Sequence, residues 1–209
     1  MIVAVDGPTA SGKGTIARAL SAHFGLPHLD TGLLYRAVGR QCLLDGGDPD
    51  DPVAALAACA FSEGLLLDPE LRSEATGGLA SRVSVHPAVR QALFERQRSF
   101  ATQQRGAVLD GRDIGTIIAP DADVKLFVTA SVEARAQRRF DEMRAQGRPV
   151  LLEAIAADLA ARDERDATRR DAPLAVADGA VVLDTSQLGR DEAVAEAIRI
   201  VEAARHTAD

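Results

Sequence analysis

The chain has 209 residues, 46% of them hydrophobic and 26% charged, and its 24 lysines and arginines face 31 aspartates and glutamates for a net charge of −7. That is enough for one core of ordinary size and too evenly mixed for a disordered or fibrous chain. It is also too acidic for duplex DNA or an anionic bilayer unless the cations gather locally. The longest apolar stretch, Pro52 to Phe61, is too short to span a bilayer, the opening MIVAVDGP has no basic leader, and Cys42 and Cys59 are too few for a disulfide framework or a structural zinc site. A soluble, cytoplasmic, single-core chain is the expectation.

Ile2 to Val5 is a β-branched and apolar run ending at Asp6, which predicts a buried strand. It meets the glycine-rich GPTASGKGT and then a helix carrying Ile16, Leu20 and Phe24, stopped by Gly25 and Pro27. HLDTG reads as a short strand or loop, Leu33 to Leu44 as a second helix, and DGGDPDDP as a break. From Val53 to about Gln104 the chain is Ala-rich and helical, then irregular around DPELRSEATGG. Pro87 then opens a long amphipathic helix with Val89, Leu93 and Phe100 on its apolar side. AVLDGRD and VKLFVTA return to strand. A charged helix follows Ser131 and ends near Gly147 and Pro149, and another runs from about Leu151 into RDERDATRR. AVVLDT is the last strand, and Val194, Ile198 and Val201 mark a closing helix.

Strands alternating with helices predict an α/β chain, one domain over 1–209, with a central, mostly parallel sheet flanked by helices in three layers. Residues of about 53–104 and 147–172 are expected as lobes inserted into a core made of about 1–52, 105–146 and 173–209.

Gly7, Gly12 and Lys13 satisfy the G-x-x-x-x-G-K pattern of a phosphate-binding loop, with a strand before it and an amphipathic helix after it. Glycines let the backbone curl until successive N–H groups face inward, and the helix N-terminus favours an anion there. Gly7, Pro8, Thr9, Ala10, Ser11, Gly12, Lys13, Gly14 and Thr15 therefore form the candidate ATP-binding loop. Lys13 supplies a point charge for the terminal phosphates. The usual hydroxyl after the lysine is replaced by Gly14 and arrives one position later, at Thr15, near the expected Mg²⁺ either directly or through water. A loop of this kind alone leaves hydrolase, switch and kinase open.

Only two of the 24 cations, Lys13 and Lys125, are lysines. Arg162, Asp166 and Arg169 stand at i, i+4 and i+7, which puts all three on one helix face with Arg165 at its edge. Exposed ion pairs on a solvated helix would give the same pattern, at a few tenths of a kcal/mol each. His23, His28, His86 and His206 have no metal-like spacing, and the two cysteines sit in apolar helical patterns as core residues.

KGT in the loop, DTGLLYR at Asp30 to Arg36, LDGRDIGT at Leu109 to Thr116, RDERDATRR and the final VVLDTS together resemble the bacterial cytidylate kinase family, a branch of the nucleoside monophosphate kinases. The resemblance implies a three-layer P-loop fold with an inserted monophosphate-binding lobe and a helical lid. It also implies transfer of the γ-phosphoryl group of ATP to CMP or dCMP with Mg²⁺ as cofactor, by a monomer. Lys13, Arg112, Arg162 and Arg169 are then the catalytic cations. Thr31 and Arg36 meet the phosphate of CMP, while Ser81, Arg90 and Asp113 read the cytosine edge. Arg162 and Asp166 lie near the acceptor sugar and Arg169 reaches phosphate. Asp110, closing its strand, assists Mg²⁺ through water or supports the fold. The first insert is short for the family, so the register of Ser81 and Arg90 is carried by the RVSVHPAVR that follows. A kinase for another nucleoside monophosphate or small acceptor stays open, and so does a nucleotide-dependent switch without transfer. One tyrosine and six phenylalanines leave little for base stacking, so no nucleic acid is expected as a partner.

Overall fold

The opening apolar run forms β1 (Ile2–Asp6), buried from Val3 onward, at the centre of a five-stranded sheet. In the computed structural model, which describes residues 1–206, the other strands are β2 (His28–Asp30), β3 (Ala107–Gly111), β4 (Val124–Thr129) and β5 (Val181–Asp184). Their order is β2-β3-β1-β4-β5 and every pairing is parallel, so the expected mostly parallel sheet is wholly parallel among the described residues. β1 lies between β3 and β4, with Val5 opposite Asp110 on one side and Leu126 on the other. Its carboxyl end is therefore a switch point, where neighbouring connections run opposite ways and leave a crevice for a ligand.

Helices cover both faces, and the period-two alternation of β1 decides which side chain meets which layer. Val3 and Val5 face α1 (Lys13–Phe24) and α8 (Arg190–His206), packing with Ile16, Leu20, Ala197 and Val201. Ala4 faces the other way, where Ala101 of α5 (Pro87–Ala101) and Ile114 and Ile118 of a single π-helical turn (Ile114–Ile118) close over it. In α8 the buried positions are Ala193, Ala197, Ile200 and Val201, with Val194 and Ile198 only partly covered, so the apolar stripe is shifted from the one the larger side chains mark. Residues 207–209 of the last core segment, and the side chain of His206, lie outside the described residues.

Between α2 (Thr31–Leu44) and α5 come α3 (Pro52–Ala57), short 3₁₀ turns and α4 (Glu74–Val83). Leu34, Val38 and Cys42 of α2 meet Ala55, Val83, Val89 and Leu93 in a second cluster. The irregular stretch expected around 68–78 is helical from Glu74 onward. Gly77 and Gly78 argue against a helix by propensity, yet Ser73 caps it by accepting the Thr76 N–H, and tight packing demands small residues. A Cβ at Gly39 of α2 would lie 2.6 Å from the Leu79 Cβ, and one at Gly77 would lie 3.0 Å from the Arg36 guanidinium. α6 (Val132–Ala145) and α7 (Leu152–Thr168) form a hairpin around Ala136, Met143, Ile155 and Leu159. No helix among the described residues is long and apolar enough to cross a membrane.

Candidate active site

Gly7 to Gly12 join β1 to α1, with positive φ at Gly7, Ala10 and Gly12. Lys13 opens the helix, and its Nζ curls back to donate to the Pro8 carbonyl at 3.2 Å. Burial, with Arg112 beside it, pushes the Lys13 ammonium down to about 8. It remains largely charged at neutral pH, and an anion bound to the loop would raise it again.

The loop borders a cavity of about 300 Å³. Thr9, Ala10, Lys13 and Gly14 form one wall; Thr31 and Arg36 of α2 a second; Ser81 and Arg90 a third. The stretch after β3 brings Asp110, Arg112 and Asp113, and the α7 region brings Arg162, Asp166 and Arg169. Every residue that the sequence assigned to the acceptor, and every expected catalytic arginine, thus meets in one place. Gly7, Pro8, Ser11 and Gly12 shape the turn without lining the cavity. Thr15 also stands outside its wall, and its hydroxyl accepts from Arg18 at 3.4 Å.

The cations are held in fixed directions. Arg36 donates to the carbonyls of Leu71 and Ser73 at 2.8 Å each. Burial lowers the proton affinity of Arg36, Asp30 opposes that, and Arg162, Arg139 and Arg112 add to it. Arg112 donates through Nε to Asp166 at 2.7 Å and through Nη2 to the Thr9 hydroxyl at 2.5 Å. Arg162 pairs with Asp158 at 2.9 Å and reaches the Glu74 carbonyl at 3.5 Å. Arg90 donates to Asp113 and stacks 5.8 Å from the centre of the Tyr35 ring. Arg169 lies 3.7 Å from Asp113, and burial, then Arg90, lower its proton affinity. Arg90 Nη1 and Arg169 Nη2 are buried donors with no hydrogen-bond acceptor among the described residues. An unmet buried donor costs roughly 1–3 kcal/mol, more when charged, so an acceptor in the cavity would be bound with that much less to lose.

One expectation needs correction. Arg169 is not on the α7 face: the helix ends at Thr168, and Arg169 is extended, with φ −59 and ψ 140. The chain folds back there because Leu174 N–H bonds the Asp166 carbonyl at 2.7 Å and Ala172, in the left-handed region, accepts from Arg169 Nε at 2.5 Å. Arg169 still reaches the cavity, but from the first residue past the helix. Arg165 stays exposed at the edge of that helix face, as its spacing predicts, and donates to the hydroxyl of the cavity-lining Ser81 at 3.1 Å. The Thr31 hydroxyl also has an unforeseen partner, since it donates to the Asp110 carbonyl at 2.8 Å.

Asp30 and Tyr35 also line the cavity and were missed in the sequence, and His28 reaches Asp110 from outside the lining. Asp30 closes β2 directly opposite Asp110, the penultimate residue of β3, and burial, then Asp110, raise the Asp30 carboxyl above its usual range. His28 Nε2 lies 2.7 Å from Asp110 Oδ1, while Oδ2 faces the backbone at Gly14. Two carboxylates crowding each other beside a phosphate loop suit a divalent cation that keeps its waters and is shared with phosphates. A group of three or more acidic, His or Cys side chains set to hold a metal alone is absent among the described residues. The signal for Asp30 was present in the sequence as a second acid closing a strand.

Asp6 holds the frame. It is 4% exposed and accepts the N–H groups of Ile114 at 2.9 Å and Gly115 at 2.7 Å, pinning the turn that follows Arg112 and Asp113. Burial pushes its carboxyl up from 3.8 to about 6. Across that window the folded state keeps a proton that the unfolded chain releases, so stability falls as pH rises. Relative to Asp6→Asn, the wild type is expected to lose on the order of 3 kcal/mol of unfolding free energy between about pH 4 and pH 7. Urea titrations of both proteins at the two pH values check this; a constant difference would mean that the two N–H bonds fully offset burial.

A wholly parallel sheet, a phosphate loop at its switch point and a cation-lined cavity built from later segments define a P-loop phosphotransferase. The family model described as cytidylate kinase matches residues 3–203. The cytidylate kinase of Azorhizobium caulinodans is 55% identical over 206 residues, covering 98% of this chain and 100% of that protein; that of Caulobacter sp. strain K31 is 54% identical over 205 residues, covering 98% and 95%. A crystal structure of an uncharacterized protein from Eubacterium ventriosum aligns with a TM-score of 0.57 at 13% identity, over 97% of this chain and 99% of that one, a likeness of fold alone. The chain belongs to the cytidylate kinase family.

Proposed function

We propose that the cavity seats the acceptor nucleotide while the phosphate loop holds the ATP polyphosphate, so that the two phosphates meet between Lys13 and the arginines. The chain is a (d)CMP kinase: it moves the γ-phosphoryl group of ATP to the phosphate of CMP or dCMP, leaving ADP and CDP or dCDP. The observation that carries the site assignment is the convergence of Arg36, Arg112, Arg162 and Arg169 on one cavity, from separate segments, with buried guanidinium groups competing for few carboxylates. Such a site is short of negative charge, and phosphates supply it.

Phosphoryl transfer asks little covalent help from a protein, and charge spreading onto the transferred group must be neutralised in line with its acceptor. Lys13 and the inward N–H groups of the loop bind the terminal phosphates of ATP, aided by the α1 N-terminus. Arg112, Arg162 and Arg169 neutralise the group in flight, and Arg36 holds the acceptor phosphate. Thr31 shapes that wall, its hydroxyl already donating to the Asp110 backbone carbonyl. At the base, Asp113 accepts from the cytosine amino group while Arg90 and the Ser81 hydroxyl donate to its ring nitrogen and carbonyl. Uracil reverses part of that pattern. Asp166 orients Arg112 and bonds a ribose hydroxyl. Thr15 and Asp110 would hold Mg²⁺, directly or through water, with Asp30 adding charge; the ion supplies neutralisation and alignment of the phosphates. Residues 53–104 act as the acceptor lobe, and 147–172 as a lid that keeps water from competing for the phosphoryl group. The protein works as a cytoplasmic monomer without nucleic acid, and two free cysteines, one buried and one half-buried, suit that reducing compartment.

ADP release from Mg²⁺-ATP with CMP, dCMP, UMP, AMP or GMP, beside a blank without acceptor, tests the reading. Turnover confined to CMP and dCMP is expected. Turnover with another base would remove Ser81, Arg90 and Asp113 as cytosine readers, and equal ADP in the blank would remove the transfer assignment.

A further inference from the structure

Thr9, beside the apex of the phosphate loop, is gripped from two sides. Its carbonyl accepts from Arg135 Nη1 at 3.1 Å and its hydroxyl from Arg112 Nη2 at 2.5 Å. Each arginine is bonded in turn by a carboxylate of α7. Asp163 takes both ends of the Arg135 fork, at 3.1 and 2.5 Å, and Asp166 takes Arg112 Nε at 2.7 Å. Asp163 and Asp166 are three residues apart, hence neighbours on the helix surface.

Arg112 and Asp166 line the cavity, but Arg135 and Asp163 do not, and the transfer described above gives them no task. Arg135 is nevertheless 3% exposed and also donates through Nε to the Ala130 carbonyl at 2.9 Å. Burying a guanidinium is costly unless its fork is fully bonded, and this fork spends one bond on the loop. The next residue, Ala10, has φ +63, a left-handed conformation that costs a side chain roughly 1–2 kcal/mol. Ala10 packs against the same α6–α7 cluster that contains Ile155 and Leu159. The apex is thus held in a strained shape by the hairpin rather than by its own sequence.

We propose that Arg135 is a positioning residue for the phosphoryl transfer: clamped by Asp163 of the lid helix, it fixes the Thr9 carbonyl and the strained Ala10, so the loop takes its working shape only with α7 docked. Lid docking and loop shape then form one equilibrium. The proposal rests on the kinase reading given above.

Steady-state assays of CDP formation on the wild type, Arg135→Lys and Asp163→Asn test it, with melting curves and amide exchange of a peptide covering the loop. Both variants are expected to lose kcat by about 30- to 100-fold, since a small misplacement of reacting groups costs that much, while KM for CMP moves by less than about threefold. The loop peptide should exchange faster, and peptides from β3 and β4 should not change. Arg135→Lys keeps the charge and loses the fork, so its loss reports geometry. If Arg135→Lys does not fold, Asp163→Asn decides alone, because it leaves the Arg135 bonds to Thr9 and Ala130 available. Unchanged kcat in Asp163→Asn, or a fall in kcat with unchanged loop exchange, overturns the positioning role. A wild type that makes no CDP removes the kinase reading itself, and this role with it; a normal wild type with unaffected variants removes this role only.

Discussion

Lys13→Met is expected to lower kcat for CDP formation by about 1,000-fold, the scale found when a charge-stabilising donor is removed from a closed site, and at neutral pH to raise the melting temperature. Methionine keeps the length of the stem and deletes the ammonium. The rise in stability follows from the burial of that ammonium beside Arg112. Burial pushes the Lys13 amine down from 10.5 to about 8, so below that pH the folded chain carries a charge less comfortably than the unfolded chain does. The wild type therefore gains stability as pH climbs from 8 towards 10.5, where the amine becomes neutral in both states, and the advantage of Met should fade over the same interval. Saturating ATP should reverse the order at neutral pH, because bound phosphates stabilise only the protein that keeps the ammonium. Single-turnover kinetics and thermal scans at two pH values measure both halves. A loss of less than about tenfold would place the ammonium outside the transition state; a lower melting temperature would show that the pocket does not penalise the charge.

Much of this site was legible in the sequence because its chemistry is local. Gly7, Gly12 and Lys13 have a fixed spacing, and a strand and a helix frame them, so the loop could be placed before any packing was known. Arg162 and Asp166 were likewise set by helical period, and both are buried at the cavity. What stayed hidden depends on contacts between distant segments. Glycines at 77 and 78 argue against α4 until Arg36 of α2 and Arg162 of α7 are present to crowd Gly77. Arg169 leaves the helix because Leu174 takes a carbonyl of α7, which no periodicity encodes. Asp30 acquires its character from burial and then from Asp110, 80 residues away in sequence but adjacent in the sheet. Arg135 reads as one more cation on a charged helix, and only the fold brings Thr9 and Asp163 to it.

Gly7→Ala is expected to cost upwards of about 4 kcal/mol and to abolish transfer, whereas Gly12→Ala in the same motif should cost about 1–2 kcal/mol. Both residues have positive φ, +151 and +90, so both substitutions are strained by conformation. They differ in what surrounds them. A Cβ on Gly12 meets nothing within 4 Å, whereas one on Gly7 would lie 2.0 Å from the Val128 carbonyl oxygen and 3.0 Å from its carbon. Val128 lies near the carboxyl end of β4, opposite Leu183 of β5, and its main chain cannot retreat without opening the ladder that joins β4 to β5. The root of the loop must lift instead, carrying the N–H groups and Lys13 away from the phosphates. Urea unfolding of the two variants, with CDP formation alongside, separates strain from contact. Gly7 is required by the sheet beneath the loop and Gly12 by the backbone turn into α1, so the variants should fail in different ways: the first loses both stability and activity, while the second keeps its fold and binds ATP less tightly. Equal losses in the two would mean that conformation alone governs the loop, and that β4 does not anchor its root.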